Sequence, residues 1–185
     1  MPAPRIPILT VEAYLAAERS ADSRHEYYAG GSYAVAGGAF THALLISNLC
    51  GEMRNALRDK ACREISSELL FRSGAGRLYA YPEVLVFCGP VVFADDRKDV
   101  VLNPIVVAEV LSPGTEAFDR RKKAAESVQQ YLLVSQDEAL LEVHTRDEKG
   151  GRIREVRGLD GVCVVESLGL ELGMAWIYEG VELAG

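Results

Sequence analysis

The sequence predicts an α/β protein: a mixed central sheet flanked by helices, with an added helix and hairpin at the N-terminus and a β-meander at the C-terminus. Three observations predict it. Two runs, "YPEVLVFC" (81–88) and "PIVVAEVL" (104–111), are apolar on both faces, as strands in the middle of a covered sheet are. Leu45, Leu49, Met53, Ala56 and Leu57 recur at helical spacing between Thr41 and about Arg58, which gives one long amphipathic helix. The order of elements is helix, hairpin, helix, three strands, helix, strands, and such an order builds layers of helix on sheet.

From the N-terminus, Thr10 caps a short helix that carries Val11, Tyr14 and Leu15 on one face and Glu12 near its positive end. In "HEYYAGGSYAVAGG" the pair Gly30-Gly31 separates two short runs rich in Tyr, Ala and Val, a two-residue hairpin signal. After the long helix come three strands in succession: "REISSELLF" (63–71), "YPEVLVFC" after the turn "SGAG", and "PIVVAEVL". Between the last two, "FADDRKDVVLN" is polar enough for a surface loop. A second helix is expected from about Thr115 to Gln130, with the basic cluster Arg120, Arg121, Lys122 and Lys123. It leads into "YLLVS", and "ALLEVHTR", "GRIREVRG" and "CVVESLGLEL" continue as a meander with turns at "SQDE", "DEKGG" and "LDG".

Length and composition fit one domain spanning 1–185. The chain has 49% hydrophobic and 25% charged residues, enough to bury a substantial core. No run approaches the ~20 apolar residues of a membrane span, and the first twenty residues lack the apolar block of a secretory signal. A cytoplasmic protein is therefore expected, with no membrane partner. Cys50, Cys62, Cys88 and Cys163 are scattered, with no C-x-x-C pair and no His at ligand spacing, so four reduced, packed thiols are expected. A formal net charge of −7 makes the whole chain a poor electrostatic match for nucleic acid, so any such role needs a local basic patch. Nucleophile hydrolases are disfavoured: G-x-S-x-G is absent, and His25, His42 and His144 lack a supporting acid pattern. "SGAGR" precedes a strand and not a helix, so it is no phosphate loop.

Each of the two apolar strands keeps one carboxylate, Glu83 and Glu109. An ionised acid leaves water at high cost unless it is paired or holds a cation. Glu83 follows Pro82 at the start of its strand, where it either ends in solvent or joins a site. By the two-residue period Ile105, Val107, Glu109 and Leu111 share one face, and the opposite face is equally apolar. Two carboxylates on adjacent strands would repel unless a cation lies between them. With oxygen ligands alone, the natural guest is Mg²⁺ or Mn²⁺, as in metal-dependent phosphodiesterases.

"YPEVLVFC", the 26-position spacing to Glu109, "VVAEVLSPGT" and "FDRRKK" together resemble the Uma-two family of restriction-endonuclease-like proteins, within the PD-(D/E)xK nuclease superfamily. The likeness runs from "SRHEYYAGGSYAVAGG" to "LGLELGMAWIYEG". It implies a restriction-endonuclease-like mixed sheet, with the carboxylates of the second and third strands as metal ligands. The PD pair becomes Pro82-Glu83, with glutamate for the usual aspartate, and the (D/E)xK element becomes Glu109-Val110-Leu111. Leucine stands where the superfamily has lysine, and the resemblance gives that role to Lys123 of the next helix. The bland alternative is that Lys123 pairs with Asp119, four residues earlier, on a solvated face.

The same resemblance offers Glu68 as a third acid, against the reading that it faces water. Ser112 either supports the metal site or starts the turn with Pro113, and His42 either packs or contacts substrate, as Arg120 does. Two functions follow. One is a Mg²⁺- or Mn²⁺-dependent endonuclease cutting DNA, with Glu83, Glu109 and Lys123 catalytic and a homodimer expected from unpaired strand edges. The other is a catalytically degenerate nuclease fold acting as a binding or oligomeric module. The acidic balance, Leu111 and a shortened helix after Lys123 favour the second.

Overall fold

In the computed structural model, residues 8–35, 38–66, 68–74, 76–112, 128–147 and 151–183 are described. The expected helix over 115–130, with Arg120 and Lys123, lies outside them apart from its last residues.

Thr10 caps α1 (Val11–Glu18) as expected, its hydroxyl accepting from Ala13 N at 3.2 Å. The hairpin of β1 (His25–Tyr28) and β2 (Gly31–Ala34) turns one residue earlier than the Gly-Gly pair suggests. Ala29 and Gly30 are its central residues, with φ of 48° and 95°, the positive pair that a type I′ turn requires. Helix α2 (Phe40–Ala56) buries Leu45, Leu49, Cys50 and Met53.

The run "REISSELLF" is not one strand. It divides into β3 (Cys62–Ser66) and β4 (Leu70–Arg72), which belong to different sheets. Strand β5 (Leu78–Ala80), short and bracketed by turns, went unread in the sequence and pairs with both β1 and β4. Strand β6 (Val84–Cys88) follows. The supposed surface loop after it contributes β7 (Val100–Val101), a buried pair of valines running parallel to β4. Strand β8 is Val106–Val110, β9 Gln130–Val134, β10 Leu140–Thr145 and β11 Arg152–Arg157. The last three form the first part of the expected meander. "CVVESLGLEL" instead folds back on itself as a separate hairpin, β12 (Val162–Val165) with β13 (Leu170–Gly173), before the single turn α3 (Met174–Ile177).

The central sheet has six strands in the order β11-β10-β9-β8-β6-β3. It is mixed, because β8 and β9 are parallel and the other neighbours antiparallel. A parallel neighbour requires a crossover connection, and residues 113–127 of that crossover are not among those described. Both faces of β6 and β8 are covered, as their apolar runs demand. On one face Val84, Val86, Val106 and Ala108 pack against Leu45, Leu49 and Met53 of α2. The other face, among the described residues, carries a second sheet. There Leu85, Phe87 and Val107 meet Phe71 and Val101 of that sheet, of order β2-β1-β5-β4-β7. Beyond that second sheet α1 packs through Tyr14, whose ring lies 5.2 Å from Tyr27 and 5.9 Å from Tyr79.

The cysteines require a correction. Cys62 and Cys88 are register partners on β3 and β6, with Cα atoms 4.0 Å apart, and they form a disulfide. Their separation of 26 residues hid a contact that exists only once the strands pair. Cys50 and Cys163 are free and buried. Burial pushes the Cys163 thiol up to about 11, and burial with the nearby Glu64 carboxylate pushes Cys50 up to about 12. A thiol reagent at pH 8 is expected to find no fast site in the native protein, two after denaturation and four after denaturation with reduction. Because both folded values lie above the ordinary 9.0, the stability held by these thiols is complete below pH 9 and is lost as the pH rises toward about 11 and 12. Denaturation midpoints measured from pH 8 to 11 check the sign.

Candidate carboxylate site

The antiparallel register of β6 and β8 pairs Val84 with Ala108 and Leu85 with Val107. One further step sets Glu83 against Glu109, and the hydrogen bonds show that meeting. Glu83 N donates to Glu109 Oε2 at 3.4 Å, and Val110 N donates to Glu83 Oε2 at 3.3 Å. Each carboxylate thus reaches the other strand's backbone, at the long end of hydrogen-bond range. Glu109 is 3% exposed and shares its sheet face with Val107 and Leu111 of the inter-sheet core. Ile105 precedes the first residue of β8 and packs with the opposite cluster, so the two-residue period does not extend to it.

Two further side chains close on the acids. His42, in the first turn of α2, places Nε2 3.4 Å from Glu83 Oε1. Gly38 makes room for this imidazole, since a Cβ there would lie 2.5 Å from His42 Cδ2. Tyr131 of β9 donates its hydroxyl to Glu109 Oε1 at 2.9 Å in a buried bond. Glu83 keeps 24% of its side chain exposed and His42 keeps 14%, so the site opens to solvent on the Glu83 side.

His42, Glu83 and Glu109 therefore converge. Glu68 does not join them: it lies outside the strands, 83% exposed, and pairs with Arg24, whose guanidinium sits 5.7 Å above the Tyr81 ring. Ser112 follows β8 by two residues and is half-buried. Lys123 and Arg120 fall outside the described residues.

Sequence reasoning missed Tyr131, a lone aromatic whose partner is 22 residues away. It also missed that every histidine meets a glutamate. His25 Nδ1 lies 3.2 Å from Glu18 Oε2, and His144 Nε2 lies 2.8 Å from Glu142 Oε2. The second pair had a readable signal in E-x-H on a strand, where alternate residues share a face.

A charged cleft of about 250 Å³ opens on the α1 side, lined in part by Glu18, Arg19, Tyr81 and Asp99. Its charges satisfy one another. Arg19 holds both Asp95 and Asp99, keeping the Asp99 carboxyl below its ordinary value, and Glu18 accepts from Tyr81 at 3.0 Å.

Chemically, the carboxylate site offers oxygen donors at a sheet end with an apolar wall behind them. Among the described residues no group of three or more His, Cys, Asp or Glu side chains is arranged to hold a metal ion. Two carboxylates alone suit a hard divalent cation that keeps several waters and shares a substrate phosphate; they do not suit one enclosed by protein ligands.

The family model described as "Uma2: Putative restriction endonuclease" matches residues 11–176. The chain is similar to "Uncharacterized protein slr1290" of Synechocystis sp., at 32% identity over 187 residues, covering 97% of this chain and 96% of the relative. It is also similar to "Uncharacterized protein sll1609" of the same organism, at 30% identity over 134 residues, covering 70% and 76%. In three dimensions it resembles "a putative nuclease belonging to DUF820 from Anabaena variabilis ATCC 29413", with a TM-score of 0.77 and 17% identity over 94% of this chain and 99% of that one. That likeness shows the fold. The family match over most of the chain, and a relative aligned along nearly its whole length, make this protein a member of the Uma2 family, with the mixed α/β fold of restriction-endonuclease-like nucleases.

Proposed function

We propose that the protein is an endonuclease that hydrolyses phosphodiester bonds in DNA with Mg²⁺ or Mn²⁺ held by Glu83 and Glu109. The observation that carries this reading is the meeting of two acids, 26 residues apart in the chain, at the end of the β6–β8 pair beneath a covered sheet. Two carboxylates brought together repel one another, and a cation between them relieves that cost. When bound, the ion supplies positive charge to the phosphate and makes its own water more acidic. The chain's residues do the rest. Glu109 is anchored from β9, Glu83 is flanked by His42, and the apolar wall of Leu111 and Leu133 keeps bulk water from behind the acids. Lys123, by the family pattern, adds a cation at the phosphate, with Ser112, Arg120 and His42 contacting substrate. The same reading takes residues 1–185 as one domain working in the cytoplasm as a homodimer. Among the described residues no helix is long and apolar enough to cross a membrane.

A second reading, a nuclease fold that binds without cutting, has its own support. Leu111 stands at the lysine position of the motif and is packed into the inter-sheet core, 8% exposed. The test is incubation of supercoiled plasmid with the protein, with Mn²⁺ and with chelator. Nicking that needs Mn²⁺ and is lost in Glu109→Gln supports the enzyme. Retention of duplex DNA at physiological salt with no nicking supports the binding module.

A further inference from the structure

Strand β9 presents Tyr131 and Leu133 to the face that carries Glu109, and the parallel register sets Tyr131 beside Val107 and Leu133 beside Glu109. The Tyr131 ring, 3% exposed, lies in an otherwise aliphatic and aromatic cluster. Phenylalanine would fill that volume equally well, so the hydroxyl calls for its own account. A phenol buried there needs a hydrogen-bond partner. Its partner is Glu109 Oε1 at 2.9 Å, and the other oxygen, Glu109 Oε2, lies on the Glu83 side, accepting from Glu83 N at 3.4 Å. Hydrogen bonds to an ionised acceptor are the strong ones, so the Tyr131 bond fixes the carboxylate plane.

We propose that Tyr131 is a positioning residue, which anchors Glu109 through Oε1 and so turns Oε2 toward Glu83 as the oxygen that faces the cation. The inference rests on the proposed metal function and assigns the two oxygens different work. An outer partner of this kind sets a ligand's orientation without touching substrate, and its loss typically costs roughly 10- to 100-fold in metal affinity.

The test is a calorimetric titration of Mn²⁺ into wild type, Tyr131→Phe and Tyr178→Phe. Tyr178 is a matched control: it is 4% exposed, and its hydroxyl bonds to the carbonyls of Ser135 and Leu140, away from the acids. Tyr131→Phe is expected to weaken Mn²⁺ binding by about tenfold or more. Tyr178→Phe is expected to bind as wild type does, and both variants should unfold at lower temperature by similar amounts. Equal Mn²⁺ affinity in wild type and Tyr131→Phe overturns the assignment, as does equal weakening in the two variants. A wild type that takes up no Mn²⁺ even with a DNA duplex present to complete the coordination shell overturns the metal reading itself, and this inference with it.

Discussion

Exchanging Glu109 for glutamine is expected to lower Mn²⁺-dependent plasmid nicking by about three orders of magnitude while the protein stays folded. A metal ion stabilises developing charge by several kcal/mol, and each ~1.4 kcal/mol is a factor of ten in rate. Glutamine keeps the length and shape of the side chain, and its amide oxygen can still accept from Tyr131. What disappears is a charge in an almost wholly buried position, whose removal relieves a desolvation cost. Circular dichroism should therefore match wild type. Nicking retained within tenfold by a folded Glu109→Gln protein would place the chemistry elsewhere.

The largest expected effect on stability comes from Phe87→Ala. Phe87 is fully buried on β6 and packs between the sheets with Phe71 and Val101. Truncation opens a cavity between two rigid sheets that cannot easily close it, at a cost of about 3–5 kcal/mol. For a chain of this size, that lowers the melting temperature by roughly 10 °C. Phe40→Ala, at a residue 81% exposed, should change stability by no more than about 0.5 kcal/mol. A urea titration of both variants separates the cases, and a Phe87→Ala loss below 1 kcal/mol would contradict the packing described here.

Elements with strong periodicity were legible in the sequence. The long helix, the doubly apolar β6 and β8, and the meander all declare themselves because burial dictates their residues locally. Of the second sheet only the β1–β2 hairpin did, through its glycine pair, because β4, β5 and β7 run two or three residues and take their identity from partners distant in the chain, as β7 does from β4. The disulfide was hidden for the same reason: Cys62 and Cys88 are neighbours only through strand register. In the site, Glu83 and Glu109 stood out as acids inside apolar runs, whereas Tyr131 looked like any core aromatic. Glu68 shows the opposite failure: a family position suggested an acid for the cluster, and the chain turns it into solvent beside Arg24.

The central claim is that Glu83 and Glu109 are a cation site and not a buried structural pair. Calorimetric titration of Mn²⁺ into wild type and Glu109→Gln, each with and without a DNA duplex to complete the coordination shell, tests it most directly. The account predicts one ion per chain for wild type and none for the variant. Failure of wild type to bind Mn²⁺ even with the duplex present, both proteins being folded, would contradict it.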